Sequence, residues 1–162
     1  MTNRQMSREK TYREVRLRLD ALITSDTDWV AAMATVVCEL HHSFEQFHWT
    51  GFYRVVAPQR LAVGPYQGTH GCLHISFDRG VCGAAARTGQ IQRHDDVLQI
   101  DDHIACSSTT RSEIVVPVFS RQGVLLAVLD VDSDDQAAFD EVDERELSEI
   151  CQWLGELYSQ DE

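Results

Sequence analysis

The chain has 162 residues, 43% of them hydrophobic, and a formal net charge of -12 from 14 Lys+Arg against 26 Asp+Glu. That length suits one domain with a real core and is short for two. So negative a field repels phosphate backbones and anionic lipid, which argues against nucleic-acid and membrane partners.

The first element is a helix from about Arg8 to Leu22, where Tyr12, Val15, Leu19 and Leu22 recur at helical spacing. Asp26-Thr27-Asp28 offers a cap, and Trp29 to Phe47 reads as a longer, mostly apolar helix. His48 to Val56 is aromatic and β-branched and reads as a strand; Pro58 and Gln59 turn the chain, and Leu61 to Tyr66 returns beside it. An irregular stretch from Gln67 to Asp78 precedes an Ala-rich helix over Arg79–Gly89, closed by Gly89. A second irregular stretch, His94 to Arg111, is followed by strands over Glu113–Phe119 and Val124–Val131, joined by a Ser-Arg-Gln-Gly turn. From Asp140 an acidic first turn opens a last helix through Leu147, Ile150, Leu154 and Leu157. Strands joined by short turns imply an antiparallel sheet with helices packed on it, an α+β fold.

The basic residues near the start (Arg4, Lys10, Arg13, Arg16 and Arg18) alternate with acids and read as a solvated helix face. No run reaches the ~20 apolar residues of a membrane span. The polar opening MTNRQMSREK lacks the apolar core of a signal peptide, so a cytoplasmic location is expected. Five cysteines, an odd number, argue against a structural disulfide framework there.

Cys38 and Cys151 fall on apolar helical faces and read as small core residues. Cys72, Cys82 and Cys106 lie in or beside the irregular middle, where long loops tend to carry function. A thiolate that attacks an electrophilic sulfur becomes a sulfenic acid, and a second thiol rescues it as a disulfide. A zinc site is disfavoured because no two of these cysteines stand two to four residues apart, and His70, His74, His94 and His103 give no recognisable ligand spacing with Cys72 or Cys106. Asp130 and Asp132, two apart on a strand, project together, and Glu113 joins them if the two strands pair. Carboxylates so gathered call for a metal or a ligand ammonium group.

Several runs, in order, resemble one family: Gly64-Pro65-Tyr66-Gln67-Gly68, Gly80-Val81-Cys82-Gly83, His103-Ile104-Ala105-Cys106, Ser112-Glu113-Ile114-Val115-Val116-Pro117 and Leu129-Asp130-Val131-Asp132-Ser133. They resemble the free methionine-(R)-sulfoxide reductases, which are stand-alone GAF domains. Trp49-Thr50-Gly51-Phe52-Tyr53 and Phe139-Asp140-Glu141 fit the same pattern. The chain is thus expected to be one GAF domain over 1–162, with a helical extension over 1–25 and the resemblance over 26–162.

The resemblance implies a six-stranded antiparallel sheet and a reductase of the free amino acid, recycled by thioredoxin, with no cofactor. Cys106 matches the loop nucleophile, and either Cys72 or Cys82 the resolving thiol. Glu113, Asp130 and Asp132 match the acids that hold substrate, with Glu113 the first candidate to protonate the sulfoxide oxygen; Trp49 and Tyr53 match an aromatic wall. Ser107 follows Cys106 where the family more often has Asp. The rival expectation is a GAF sensor of a small molecule or of redox state, usually joined to an output domain, which this sequence does not contain. A homodimer is left open.

Overall fold

The structure is a computed structural model that describes residues 2–100 and 108–158. Its elements are α1 (Asn3–Leu22), α2 (Trp29–Ser43), β1 (Trp49–Ala57), β2 (Arg60–Gln67), β3 (His74–Ser76), α3 (Gly80–Thr88), β4 (Gln92–His94), β5 (Ser112–Phe119), β6 (Leu125–Ser133) and α4 (Glu141–Leu157). The strands form one sheet in the order β3-β2-β1-β6-β5-β4, every pair antiparallel.

Side chains on β1, β5 and β6 alternate between two layers, as a period of two requires. Phe52, Ile114, Val116, Val118, Ala127, Leu129 and Val131 enter the main core with α1, α2 and α4. Val115 and Val128 point the other way, into a smaller core under α3. Helix α4 lies close on β5: a Cβ on Gly155 would stand 2.0 Å from the Phe119 carbonyl oxygen. Any side chain there would force the layers apart.

Helix α1 starts earlier than its apolar pattern does, because Thr2 and Gln5 form a capping box. Its buried face is Arg8, Tyr12, Val15 and Leu19. Leu22, expected on that face, is 59% exposed, and Ile23 fills the place as the chain leaves the helix extended. Arg8 was not expected inside; its guanidinium pairs with Asp143 and donates to the Ala138 carbonyl at 2.7 Å. The Tyr12 hydroxyl donates to the same Asp143 at 2.8 Å, so one buried cluster fastens α1 to α4.

Asp28 caps α2 by accepting from the Val30 and Ala31 backbone amides. The helix stops at Ser43, short of Phe47: Phe44 turns extended and stacks on Phe47 at 4.6 Å, so both rings reach the core. Cys38 is not a core residue. It is exposed, with Sγ 3.8 Å from His42 Nδ1, whereas Cys151 is fully buried as expected.

Two strands were hidden within stretches read as irregular or unassigned. β3 and β4 have three residues each, too few to show alternation, and only pairing with β2 and β5 defines them.

Candidate active site

The pairing of four strands sets one row of side chains across the sheet. Trp49 stands opposite Asp132, Asp132 opposite Glu113, and Glu113 opposite His94. Beside it, Gly51 faces Asp130 and Asp130 faces Val115. Residues opposite in a ladder project to the same side. Here that side is the one covered by α3, which adds Cys82. The expectation that Glu113, Asp130 and Asp132 share one sheet face agrees with this geometry.

The aromatic part is built on β1 and β2. Trp49 stacks between Tyr53 and Tyr66, with ring centroids 5.7 and 5.4 Å away. Gly51 makes the room: a Cβ there would lie 2.5 Å from both the Trp49 ring and the Tyr66 Cβ. The chain after β2 settles onto this wall. Trp49 Nε1 donates to the Thr69 carbonyl at 2.8 Å, and a Cβ on Gly71 would come within 3.0 Å of the Tyr53 hydroxyl. That hydroxyl is hydrogen-bonded to the Cys72 backbone, which fixes Cys72 at the edge of the wall.

The acidic part is buried. Glu113 and Asp130 are each 5% exposed. One ligand atom each from Cys82, Glu113 and Asp130 lies within 4.8 Å of the other two. Asp130 hydrogen-bonds the Cys82 thiol and Glu113, yet its Oδ1 has no hydrogen-bond partner among the described residues. Burial first, and then the Glu113 charge, hold the Asp130 carboxyl well above the ordinary carboxylate range. Burial, then Asp130 and Asp134, push Asp132 up as well. Such a shift favours the protonated form, and a nearby cation opposes it.

Cys82 occupies the first turn of α3, where the helix dipole alone would favour a thiolate. Burial wins, reinforced by Asp130 and Glu113, and the thiol is held well above its usual range. It donates a hydrogen bond to Asp130. Cys72 is disulfide-bonded, whereas Cys38, Cys82 and Cys151 are free thiols. Cys106, the expected nucleophile, and Ser107 beside it lie outside the described residues.

The chain on either side of that stretch is tied to the sheet end. Val97 N–H donates to the Arg111 carbonyl at 2.9 Å, and Arg111 N–H to the Ser133 carbonyl at 2.8 Å. Sequence reasoning gave no role to Tyr66, Gly51 or Gly71, and considered His94 only as a metal ligand. The available signal was Trp49-Thr50-Gly51-Phe52-Tyr53: at period two it sets a glycine between two aromatics on one face. Chemically, the arrangement offers an aromatic surface beside buried acids, suited to a small ligand carrying both an apolar arm and a cation. Cys82, Glu113 and Asp130 are also the described residues that could hold a metal. Local spacing could not reveal them, since three separate elements supply them.

This sheet, with helices on both faces and a site over one of them, defines the class of the chain, and residues 27–156 match the GAF domain family. It is 37% identical to Protein YtsP of Bacillus subtilis over 154 residues, covering 94% of each chain. It is 34% identical to the free methionine-R-sulfoxide reductase of Escherichia coli over 149 residues, which is 92% of this chain and 89% of that one. Among solved structures, the free methionine-R-sulfoxide reductase of Neisseria meningitidis in complex with its substrate is 43% identical, with a TM-score of 0.85 over 91% of this chain and 87% of that chain. The chain therefore belongs to the GAF domain family and, within it, to the free methionine-R-sulfoxide reductases.

Proposed function

We propose that this chain reduces free methionine (R)-sulfoxide to methionine through a cysteine disulfide cycle. The observation that carries the substrate assignment is Asp130: a buried carboxyl beside Glu113, with an oxygen unpartnered among the described residues, next to an aromatic wall. The substrate ammonium is a cation suited to these acids, and its methyl sulfoxide arm suits Trp49 and Tyr53. Asp130 and Asp132 hold the ammonium, which draws Asp130 into its ionised form. A methionine sulfoxide inside a peptide has no such ammonium to offer.

The chemistry then follows from the thiols. Cys106 thiolate attacks the sulfoxide sulfur while Glu113 protonates the departing oxygen. The sulfoxide oxygen, now protonated, passes to the Cys106 sulfur as the new sulfur–sulfur bond breaks, so methionine leaves and Cys106 carries a sulfenic acid. A second thiol attacks that sulfur, water departs, and a disulfide remains. Cys72 is the resolving thiol in this reading. Its disulfide bond and its place at the edge of the aromatic wall support that role. Cys82, free and held protonated, fits a hydrogen-bonding role toward Asp130 instead. A protein dithiol such as thioredoxin resets the enzyme, consistent with work in the reducing cytoplasm.

A single-turnover experiment tests the cycle. Reduced protein, freed of reductant and mixed with excess substrate, should release one methionine per chain and end with Cys72 bridged to Cys106 on peptide mapping. Methionine release with both thiols still reduced would contradict it.

A further inference from the structure

We propose that Cys82, Glu113 and Asp130 also form a binding site for a divalent transition-metal ion of the zinc type, and that this ion excludes the substrate. The two carboxylates come from neighbouring strands and the sulfur from α3, and all three residues are buried. Asp130 is 5% exposed, and its Oδ1, buried without a partner among the described residues, is an unfilled ligand position beside the other two groups.

The donor set selects the ion. Calcium and magnesium take oxygen ligands, whereas zinc and cobalt(II) accept thiolate and carboxylate together. Zinc–sulfur bonds of about 2.3 Å and zinc–oxygen bonds of about 2.0–2.2 Å place tetrahedral ligands roughly 3.5 Å apart. The three ligand atoms, already within 4.8 Å of one another, need only a side-chain adjustment of about an ångström. Binding is an exchange without redox change: the Cys82 thiol releases its proton, the ion loses water, and sulfur–metal and oxygen–metal bonds form. Burial and the two neighbouring acids oppose a lone thiolate at Cys82, and an ion of charge +2 reverses that electrostatic balance. Three protein ligands leave one position open, the arrangement of sites that admit a fourth group.

Ion binding stands on this geometry alone. The exclusion of substrate rests on the function proposed above, because the ion and the ammonium would claim the same Asp130.

The test uses the full chain with Cys72 in its disulfide, so that the redox thiols are unavailable, and cobalt(II) chloride as the probe. One equivalent should bind with a sulfur-to-cobalt charge-transfer band. The band should vanish in Cys82→Ser. Affinity should weaken at least tenfold in Glu113→Gln and in Asp130→Asn, each checked for a native circular dichroism spectrum. Cys38→Ser and Cys151→Ser should keep the band. No band in the wild type, a band that survives Cys82→Ser, or one lost with Cys38→Ser would overturn the site; the last would move it to the surface Cys38 and His42 pair. Free methionine (R)-sulfoxide should displace the cobalt, and zinc should raise KM without changing kcat. A reductase that shows no cobalt band sinks this inference and leaves the proposed function standing. A cobalt band in a protein that releases no methionine does the reverse.

Discussion

Replacing Asp130 by Asn removes the carboxylate that a bound ammonium would pair with and keeps the shape of the side chain. Asp130 is 5% exposed and hydrogen-bonded to Glu113 and Cys82, so in the proposed function it would meet the substrate ammonium out of water. Truncating one partner of a desolvated charge pair costs ~2–5 kcal/mol. The lower bound corresponds to a fall in kcat/KM of ~30-fold for Asp130→Asn. The assay is methionine release from free and N-acetylated methionine (R)-sulfoxide, by wild type and variant. Acetylation should cost the wild type a similar factor and the variant little more, because both changes break the same pair.

Stability should move the opposite way. Burial, and then Glu113, raise the Asp130 carboxyl above its ordinary value of 3.8. The folded protein therefore keeps a proton that the unfolded chain releases as pH climbs past 3.8, and stability is lost over that window. The variant escapes this loss. Without substrate, its Tm advantage should widen from about pH 4 to about pH 7. The reasoning is refuted if the wild type reduces the N-acetylated compound as well as the free amino acid, or if the Tm difference does not change with pH.

Cys106→Ser should abolish turnover, since a serine alkoxide is not available near neutral pH and forms no disulfide, whereas Cys38→Ser and Cys151→Ser should retain most activity in the same assay. Arg8→Ala leaves Asp143 buried without its guanidinium and should cost ~3–5 kcal/mol in denaturant unfolding, with kcat preserved at low temperature. Treatment with a chelator should not reduce methionine release, because no step above uses a metal. A loss restored by added zinc would contradict that.

How much could be read in advance depended on the length of the pattern. β5 and β6 alternate long enough to show that Asp130 and Asp132 share a side, and their short turn sets the register that brings Glu113 to them. β3 and β4 lack that length, and with them went the place of His94 beside Glu113. Cys82 could not be judged from an Ala-rich helix, since its burial is made by β5 and β6, far away in sequence. Nothing local marked Arg8 as buried, because its partner Asp143 lies on α4. Cys38 erred in the opposite sense, lying among apolar residues yet on the outer side of α2. Local periodicity found the faces; what each face meets is decided by distant elements.

The most direct test of the proposed function is turnover on three substrates under one condition. The purified chain, with dithiothreitol as reductant, is given free methionine (R)-sulfoxide, free methionine (S)-sulfoxide and a peptide containing methionine sulfoxide. Methionine should appear from the free R epimer alone. Equal turnover of the S epimer or of the peptide would contradict a pocket that recognises the free ammonium and one face of the sulfoxide.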